Sequence, residues 1–318
     1  PVLRISAWLE LPLVIWSLLL LVVTSSQLIA RGVLRNPKTG ISRLIRQALD
    51  FVLGVSPIFV AATLVAEVVI FFSLLSESIV AWVVIGCLIV GGCRGLYAAL
   101  IPMVRRIELG YPQLREPLSL VQITDVHIGS RSQAFLERIV DRVAELKPDI
   151  LCITGDLIDQ KGVQQSVLSC FSELAMPIYF VIGNHERYED LEDILTRLGK
   201  VGVQPLRNTS SWFRPDVQVV GIDDKDDSQQ VENQLREIEI SPTVFTLLLY
   251  HRPQGLVPAA RAGIQLMLSG HTHNGQIFPF NVLVAKVFDY VEGLFSYHGT
   301  HLYVSQGTGT WGPVLRIG

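Results

Sequence analysis

An α/β domain behind a block of membrane-spanning helices is the architecture this sequence predicts. Three observations carry that expectation. Residues 1–104 hold only seven Lys/Arg and four Asp/Glu, whereas the rest of the chain holds 19 and 25. Residues 11–30 contain no charge, and residues 51–104 contain only Glu67, Glu77 and Arg94. From residue 117 onward, short β-branched runs alternate with amphipathic stretches, the pattern of strands buried on both faces and covered by helices. At 318 residues the chain accommodates two such parts, given domains of roughly 100–200 residues. The predicted division is a transmembrane region over 1–104 and a water-soluble domain over 105–318.

Composition excludes several classes. A hydrophobic fraction of 49% is incompatible with a disordered chain. Four cysteines with no CxxC do not make a disulfide scaffold, and nothing demands an oxidising compartment. A net charge of −3 gives no basic face, so no nucleic-acid partner is expected. Pro1 in place of Met leaves room for an earlier segment or signal.

Spans are predicted near 8–30, 51–75 and 79–103. The uncharged 20-residue run 11–30 matches a hydrocarbon core of about 30 Å at about 1.5 Å per residue. The polar break Ser76-Glu77-Ser78 separates the second span from the third. Arg31, Arg35, Lys38, Arg43 and Arg46 lie between the first two spans, and Arg105 and Arg106 close the third. The positive-inside rule then places the 31–50 loop and the soluble domain in the cytoplasm, with the chain integral to a membrane and lipids as its partners. Glu67 and Arg94 are ionisable residues within spans. They are candidates for a pair, although their positions leave a depth mismatch of about 10 Å. The alternative has Arg94 snorkel while Glu67 faces a neighbouring helix or a lipid.

In the soluble part, strands are expected at 118–124, 149–154, 177–182, 216–222, 243–250, 265–269 and 301–305. Helices are expected at 132–146, 161–174, 189–199, 229–237 and 254–262. Ser132 is placed to cap the first of these helices, with Leu136, Ile139, Val140 and Val143 as its apolar stripe. Residues 223–230 read as a solvated turn.

The chemistry lies at the strand ends. Asp125-x-His127, Gly155-Asp156-x-x-Asp159, Gly183-Asn184-His185-Glu186, His251, and Gly270-His271-x-His273 each follow a predicted strand. Ligands of α/β sheets bind outside the carboxyl ends of strands, so these clusters can converge on one site. Asp-x-His and His-x-His put both side chains on one side of an extended segment. Carboxylates, an amide and imidazoles without thiolate suit first-row divalent metals such as Mn, Fe, Co, Ni or Zn. There are more ligands than one ion needs, so two ions sharing a carboxylate are expected. Such a pair clamps a phosphoryl group.

The order DxH, GDxxD, GNHE, a lone His after a strand, then GHxH resembles the calcineurin-like metallophosphoesterase superfamily. The runs GHTHNGQIFPFN at 270–281 and LYVSQGTGTWGPVLRIG at 302–318 resemble its bacterial integral-membrane branch, related to membrane-associated UDP-2,3-diacylglucosamine hydrolases. The resemblance implies a four-layer αββα sandwich with two mixed sheets, and a bacterial inner-membrane location. It implies a dinuclear phosphoesterase that uses metal-activated hydroxide on a phosphodiester, monoester or pyrophosphate, with a lipid-linked substrate as one candidate. A non-catalytic membrane sensor that binds a phosphorylated ligand is the alternative. By motif position, Asp125, His127 and His273 would hold the first metal, Asp156 would bridge, and Asn184, His251 and His271 would complete the second. His185 would be the catalytic acid or phosphate contact, with Asp156 also essential to catalysis. Asp159 would orient a neighbour, and Glu186 would help hold the turn. The branch continues past Gly318 into an acidic edge strand, so an absent edge strand is expected.

Weaker signals remain. Gly307-x-Gly309-x-x-Gly312 has the letters of a dinucleotide loop but is followed by Pro313, where that motif needs a helix. His298 and His301 read as loop or strand residues. Arg131, Tyr188 and Arg252 sit beside motifs and are candidates to touch substrate. Trp311 and Phe278 are candidates to line an apolar channel.

Overall fold

The computed structural model describes residues 1–34 and 40–317. Arg35 and Lys38 of the basic segment, and the side chain of Arg43, lie outside the described residues. Two compact units form. One comprises Pro1–Ile101 with Gly275–Val282 and the residues from Gly312 onward; the other comprises Pro102–Asn274 and Leu283–Trp311.

The first unit is helical: α1 (Val2–Trp8), α2 (Leu13–Leu28, running on as a π-helical turn Ile29–Val33), α3 (Gly40–Phe71) and α4 (Glu77–Leu100). Leu13–Val33, α3 and α4 are each long and apolar enough to cross a membrane. Residues 40–50, expected to be loop, are the first turns of α3. There the buried Asp50 lies 3.6 Å from Arg31 and 3.5 Å from Arg46. α1 was not expected, because seven residues carry too little helical signal to be read alone. Its Ile5 and Trp8 pack against Ala66, Val80, Ala81 and Val84. Arg4 of α1 donates through Nε and Nη2 to the Glu67 carboxylate. Glu67 therefore pairs with a neighbouring helix, and Arg94 stands exposed on α4.

The second unit contains β1 (Leu120–Ile123), α5 (Gln133–Leu146), β2 (Ile150–Thr154), α6 (Gln165–Leu168), β3 (Ile178–Val181), α7 (Asn184–Tyr188) and α8 (Leu191–Lys200). β4 (Val203–Pro205), β5 (Thr209–Arg214), β6 (Val217–Ile222), α9 (Gln230–Glu237), β7 (Phe245–Tyr250), α10 (Leu256–Arg261) and β8 (Leu266–Ser269) follow. After α11 (Phe280–Val287), which runs from the first unit into the second, come β9 (Gly293–Tyr297) and β10 (Thr300–Val304). One sheet has the order β1-β2-β3-β4 and the other β5-β6-β7-β8-β10-β9.

The first sheet is wholly parallel among its described strands, where a mixed sheet was expected. The second is mixed, with β6, β7, β8 and β10 parallel and antiparallel β5 and β9 on its edges. Ile150, Cys152, Tyr179 and Val181 of one sheet interlock with Val219, Phe245, Leu247 and Leu249 of the other. α5 and α8 cover the outer face of the first sheet, and α9 and α10 cover the second, which makes the four layers. Every residue of β2, β3, β6, β7 and β8 is buried, as expected of strands sandwiched on both faces. Ser132 Oγ accepts the Phe135 N–H, so the predicted cap on α5 forms.

Candidate metal centre

The carboxyl ends of β1, β2, β3, β7 and β8 each release one motif. β1 leads to Asp125 and His127, β2 to Asp156 and Asp159, and β3 to Asn184, His185 and Glu186. β7 leads to His251, and β8 to His271 and His273. The first two turns are laced together. Asp125 N–H donates to Gly155 C=O at 3.0 Å, His127 N–H to Asp156 C=O at 3.0 Å, and Ile128 N–H to Leu157 C=O at 2.8 Å.

The backbone is held in an unfavourable region at the very residues that carry the chemistry. Asp125, His127, Asp156, His271 and His273 all have φ between 48° and 73°. For a non-glycine residue such a conformation costs about 1–3 kcal/mol and persists where the surroundings over-determine it. Here it turns successive side chains inward. Glycines then let the turns close up: a Cβ on Gly183 would lie 2.1 Å from Asp156 Oδ1, and one on Gly270 would lie 2.2 Å from Asp125 Oδ2.

Three groups of side chains can each hold a cation: Asp125, His127 and His273; His127, Asp156 and His185; and Asp156, His251 and His271. His127 Nε2 lies 3.1 Å from His273 Nε2, which is 3.3 Å from Asp125 Oδ1. His251 Nε2 lies 3.3 Å from Asp156 Oδ2, 3.2 Å from Asn184 Oδ1 and 3.1 Å from His271 Nδ1. All seven predicted ligands thus come together, and His127 and Asp156 each belong to two of the groups. Imidazole nitrogens and carboxylate oxygens gathered in one small space form a sound cation donor set, and the mixed N/O chemistry suits divalent metals. The grouping also places His185 beside His127 and Asp156; its Nε2 is 4.0 Å from Asp156 Oδ2 and its ring centroid 4.7 Å from that of His127.

A surrounding set of contacts orients these groups. His251 Nδ1 is 2.8 Å from Thr154 C=O; a proton donated there leaves Nε2 as the lone-pair nitrogen. Asp159 Oδ2 lies 3.5 Å from His127 Nδ1 and accepts the Ser130 hydroxyl, while Oδ1 accepts the Ser130 N–H. Glu186 is fully buried, and its carboxylate accepts backbone N–H groups of Asp156, Ile158 and Gly183.

The electrostatics follow from burial and crowding. Burial disfavours the charged form of His251, but the adjacent Asp156, with Asp125 behind it, outweighs burial and lifts it to about 10. Burial opposes ionisation of Asp156, yet His251, His127 and His185 hold it well below the usual carboxylate range. Burial, then charged His251, pushes His271 down to about 3. Burial lowers His185 as well. Burial and the Asp156 charge lift Glu186 to about 7.

Other candidates fall elsewhere. Arg252 is committed to Asp224 at 2.7 Å and Asp226 at 3.0 Å. Asp223 is held by Arg207 and Asp224 by Arg252, while Lys225, Asp226, Ser228 and Gln229 are exposed, as expected of a solvated turn. Arg131 is buried with its guanidinium 4.1 Å over the Phe135 ring. His301 meets the Tyr111 hydroxyl at 2.9 Å, and His298 sits beside Tyr297, both outside the cation-holding groups. Tyr188 and Trp311 are largely exposed, with ring centroids each 6.2 Å from that of His185. Phe278 is partly exposed.

A family profile described as calcineurin-like phosphoesterase matches residues 118–275. A metallophosphoesterase of Aquifex aeolicus is 31% identical over 211 residues, covering 63% of this chain and 80% of the relative. One from Campylobacter jejuni is 31% identical over 226 residues, covering 68% of this chain and 60% of the relative. A transmembrane protein with metallophosphoesterase domain from Danio rerio is 34% identical over 246 residues, covering 69% and 56%. The chain therefore spans less than two thirds of the Campylobacter and Danio proteins.

Proposed function

The chain belongs to the calcineurin-like phosphoesterase family, and from that premise we propose that it is a membrane-anchored, two-metal phosphoric ester hydrolase acting on a lipid-linked phosphate ester. The observation that carries this reading is a chain of overlapping cation-holding groups: His127 links Asp125 and His273 to Asp156, and Asp156 links His127 to His251 and His271. Asp125, His127 and His273 would hold one ion and Asn184, His251 and His271 the other, with Asp156 between them. Divalent cations bound there supply Lewis acidity, which lowers the pKa of water and offsets phosphoryl charge. Asp159 and Thr154 fix the ring faces of His127 and His251. His185, one fifth exposed, is the group able to hold a proton for the leaving oxygen. A phosphate beside its ring favours the protonated form that burial otherwise disfavours.

The anchor reading is supported by three apolar helices and by the transmembrane relatives. Basic residues at 31–46 and at Arg105 and Arg106 favour a cytoplasmic catalytic domain on a bacterial inner membrane.

The test is hydrolysis of a chromogenic phosphodiester and its monoester by purified protein in detergent, with Mn²⁺ or with EDTA, alongside Asp156→Asn. Metal-dependent turnover that Asp156→Asn abolishes is the expected result. Folded, metal-loaded protein that turns over neither these nor a lipid phosphate would favour a non-catalytic phosphoryl sensor.

A further inference from the structure

α11 wears its apolar stripe on the outside. Phe280, Leu283, Val284 and Val287 recur at i, i+3, i+4 and i+7, which is one face of a helix. A helix folded onto a protein core buries that face. No residue of α11 is buried, and Phe280, Leu283 and Val287 are 46%, 54% and 74% exposed. Phe278, just upstream, extends the apolar surface at 46% exposure. Leaving such a surface in water forfeits roughly 25 cal/mol per Å², and a continuous apolar patch of this kind marks a surface with an occupant.

The chain leading into α11 identifies the occupant. Gly275–Val282 belongs to the same compact unit as α2, α3 and α4. Within that unit Phe278 N–H donates to Ile317 C=O at 2.7 Å, and Ile317 N–H donates to Gln276 C=O at 2.8 Å. Arg316 N–H donates to Gly95 C=O on α4 at 2.9 Å. A Cβ on Gly95 would lie 2.5 Å from Ile317 Cγ1, and one on Gly54 of α3 would lie 3.0 Å from Leu315 Cδ2 and 3.4 Å from Ile277 Cδ1. Gly54 follows closely on Asp50, and Gly95 adjoins Arg94 near the end of α4. The segment is thus seated against the spans where their apolar runs meet charge, and α11 starts from that seat.

We propose that α11 is an in-plane membrane helix, its Phe280–Leu283–Val287 stripe immersed in the acyl boundary of the bilayer that α2, α3 and α4 cross. The proposal rests on the membrane reading above. Helices of this kind bury one apolar face beneath the headgroups and keep basic side chains near them, and Lys286 occupies the flank. His273 stands just before Gly275, and the Phe288 ring, immediately after α11, lies 5.4 Å from that of His271. The substrate chemistry this arrangement serves is a phosphate ester whose acyl chains stay in the bilayer while its headgroup is cleaved.

The experiment uses the full chain with Cys87 and Cys93 replaced by Ala, the buried Cys152 and Cys170 being left in place. Single cysteines at Leu283→Cys, Val287→Cys, Val65→Cys on α3 and Glu237→Cys on α9 carry a polarity-sensitive fluorophore. Protein is reconstituted in phosphatidylcholine–phosphatidylglycerol vesicles, with brominated acyl chains or aqueous iodide as quencher. Labels at 65, 283 and 287 should be quenched by bromolipid, and the label at 237 by iodide. Failure at 65 removes the membrane reading, and the proposal with it. Quenching at 65 but not at 283 and 287 overturns the proposal alone; iodide access there means a bare face, and access by neither quencher means cover by protein. In a second arm, Leu283→Glu with Val287→Glu should cut turnover of a lipid phosphate in vesicles by about tenfold or more and leave a soluble chromogenic diester unaffected. Loss in both assays, or in neither, would count against the helix as the route for lipid substrate.

Discussion

Glu186 Oε2 accepts the backbone N–H of Asp156 at 3.0 Å and that of Gly183 at 2.8 Å, while Oε1 accepts Ile158 N–H at 2.9 Å. One buried carboxylate thereby ties the turn carrying Asp156 to the turn carrying Asn184 and His185. In Glu186→Gln a single carbonyl must serve three donors, and the new amide adds donors of its own. An unsatisfied buried donor costs about 1–3 kcal/mol. The variant should melt earlier and retain less metal than the parent, read by thermal unfolding and elemental analysis. Unchanged melting and full metal content would show that the tie is dispensable.

Asp156 and His185 lie 4.0 Å apart yet should fail in different ways. Asp156→Asn removes a carboxylate from two cation-holding groups, so metal content and turnover should fall together. His185→Ala should lower turnover by about 10²–10⁴, the usual worth of a positioned acid, with metal content near normal. The structure also groups His185 with His127 and Asp156, which gives this comparison its force. Equal metal loss in the two variants would make His185 a ligand rather than an acid.

Metal uptake should compete with protons at His251. In the metal-free protein Asp156 outweighs burial and lifts His251 to about 10, so the ring is charged at neutral pH. A charged imidazole has no lone pair to offer, so its proton must leave on binding. Apparent affinity should therefore rise by about tenfold per pH unit between pH 6 and 8, and about one proton should be released to buffer. The same shift has a stability consequence of fixed sign. Because the folded value exceeds the ordinary 6.5, the His251–Asp156 pair stabilises metal-free protein fully below pH 6.5, and this is lost as pH rises through about 10. Calorimetry in buffers of different ionisation enthalpy reads the proton count, and a pH-independent affinity would contradict the pairing.

The side chains that gather at the strand ends were legible in the sequence because each strand end carries them in a motif of a few residues. Seven strands, β1, β2, β3, β6, β7, β8 and β10, were equally visible as apolar, β-branched runs. β4, β5 and β9 were not: they are partly exposed edge strands, and their polar residues, Gln204 and Ser211 among them, blur any apolar run. The Arg4–Glu67 pair joins residues 63 positions apart, and no local pattern reports it. The His251 contact with Thr154 C=O was hidden for a different reason, since a backbone carbonyl leaves no mark in residue types. α11 was missed because its stripe is only two turns long and is flanked by Pro279 and the loop after Val287.

Two glycines should respond to alanine in opposite directions. Gly199 lies exposed in α8, and a Cβ there meets nothing within 4 Å. Gly199→Ala removes the entropic penalty of a helical glycine and should stabilise by about 0.5–1 kcal/mol. At Gly270 the added Cβ would fall 2.2 Å from Asp125 Oδ2 and 2.3 Å from Thr124 Oγ1. Neither neighbour is a flexible tip. Asp125 is fully buried and accepts the His271 N–H, and the Thr124 hydroxyl lies between Asp125 Oδ2 and Thr154 C=O at 2.7 and 2.9 Å. Overpacking of a close-packed interior costs typically about 1–3 kcal/mol, and here the strain bears directly on Asp125, a member of a cation-holding group. Gly270→Ala should therefore lower both the denaturation midpoint and the metal affinity, whereas Gly199→Ala should raise the midpoint and leave affinity alone. Chemical denaturation with and without Mn²⁺ separates the two effects. A Gly270→Ala protein with parental midpoint and parental metal binding would mean that the Asp125 turn yields without cost, against the close packing described above.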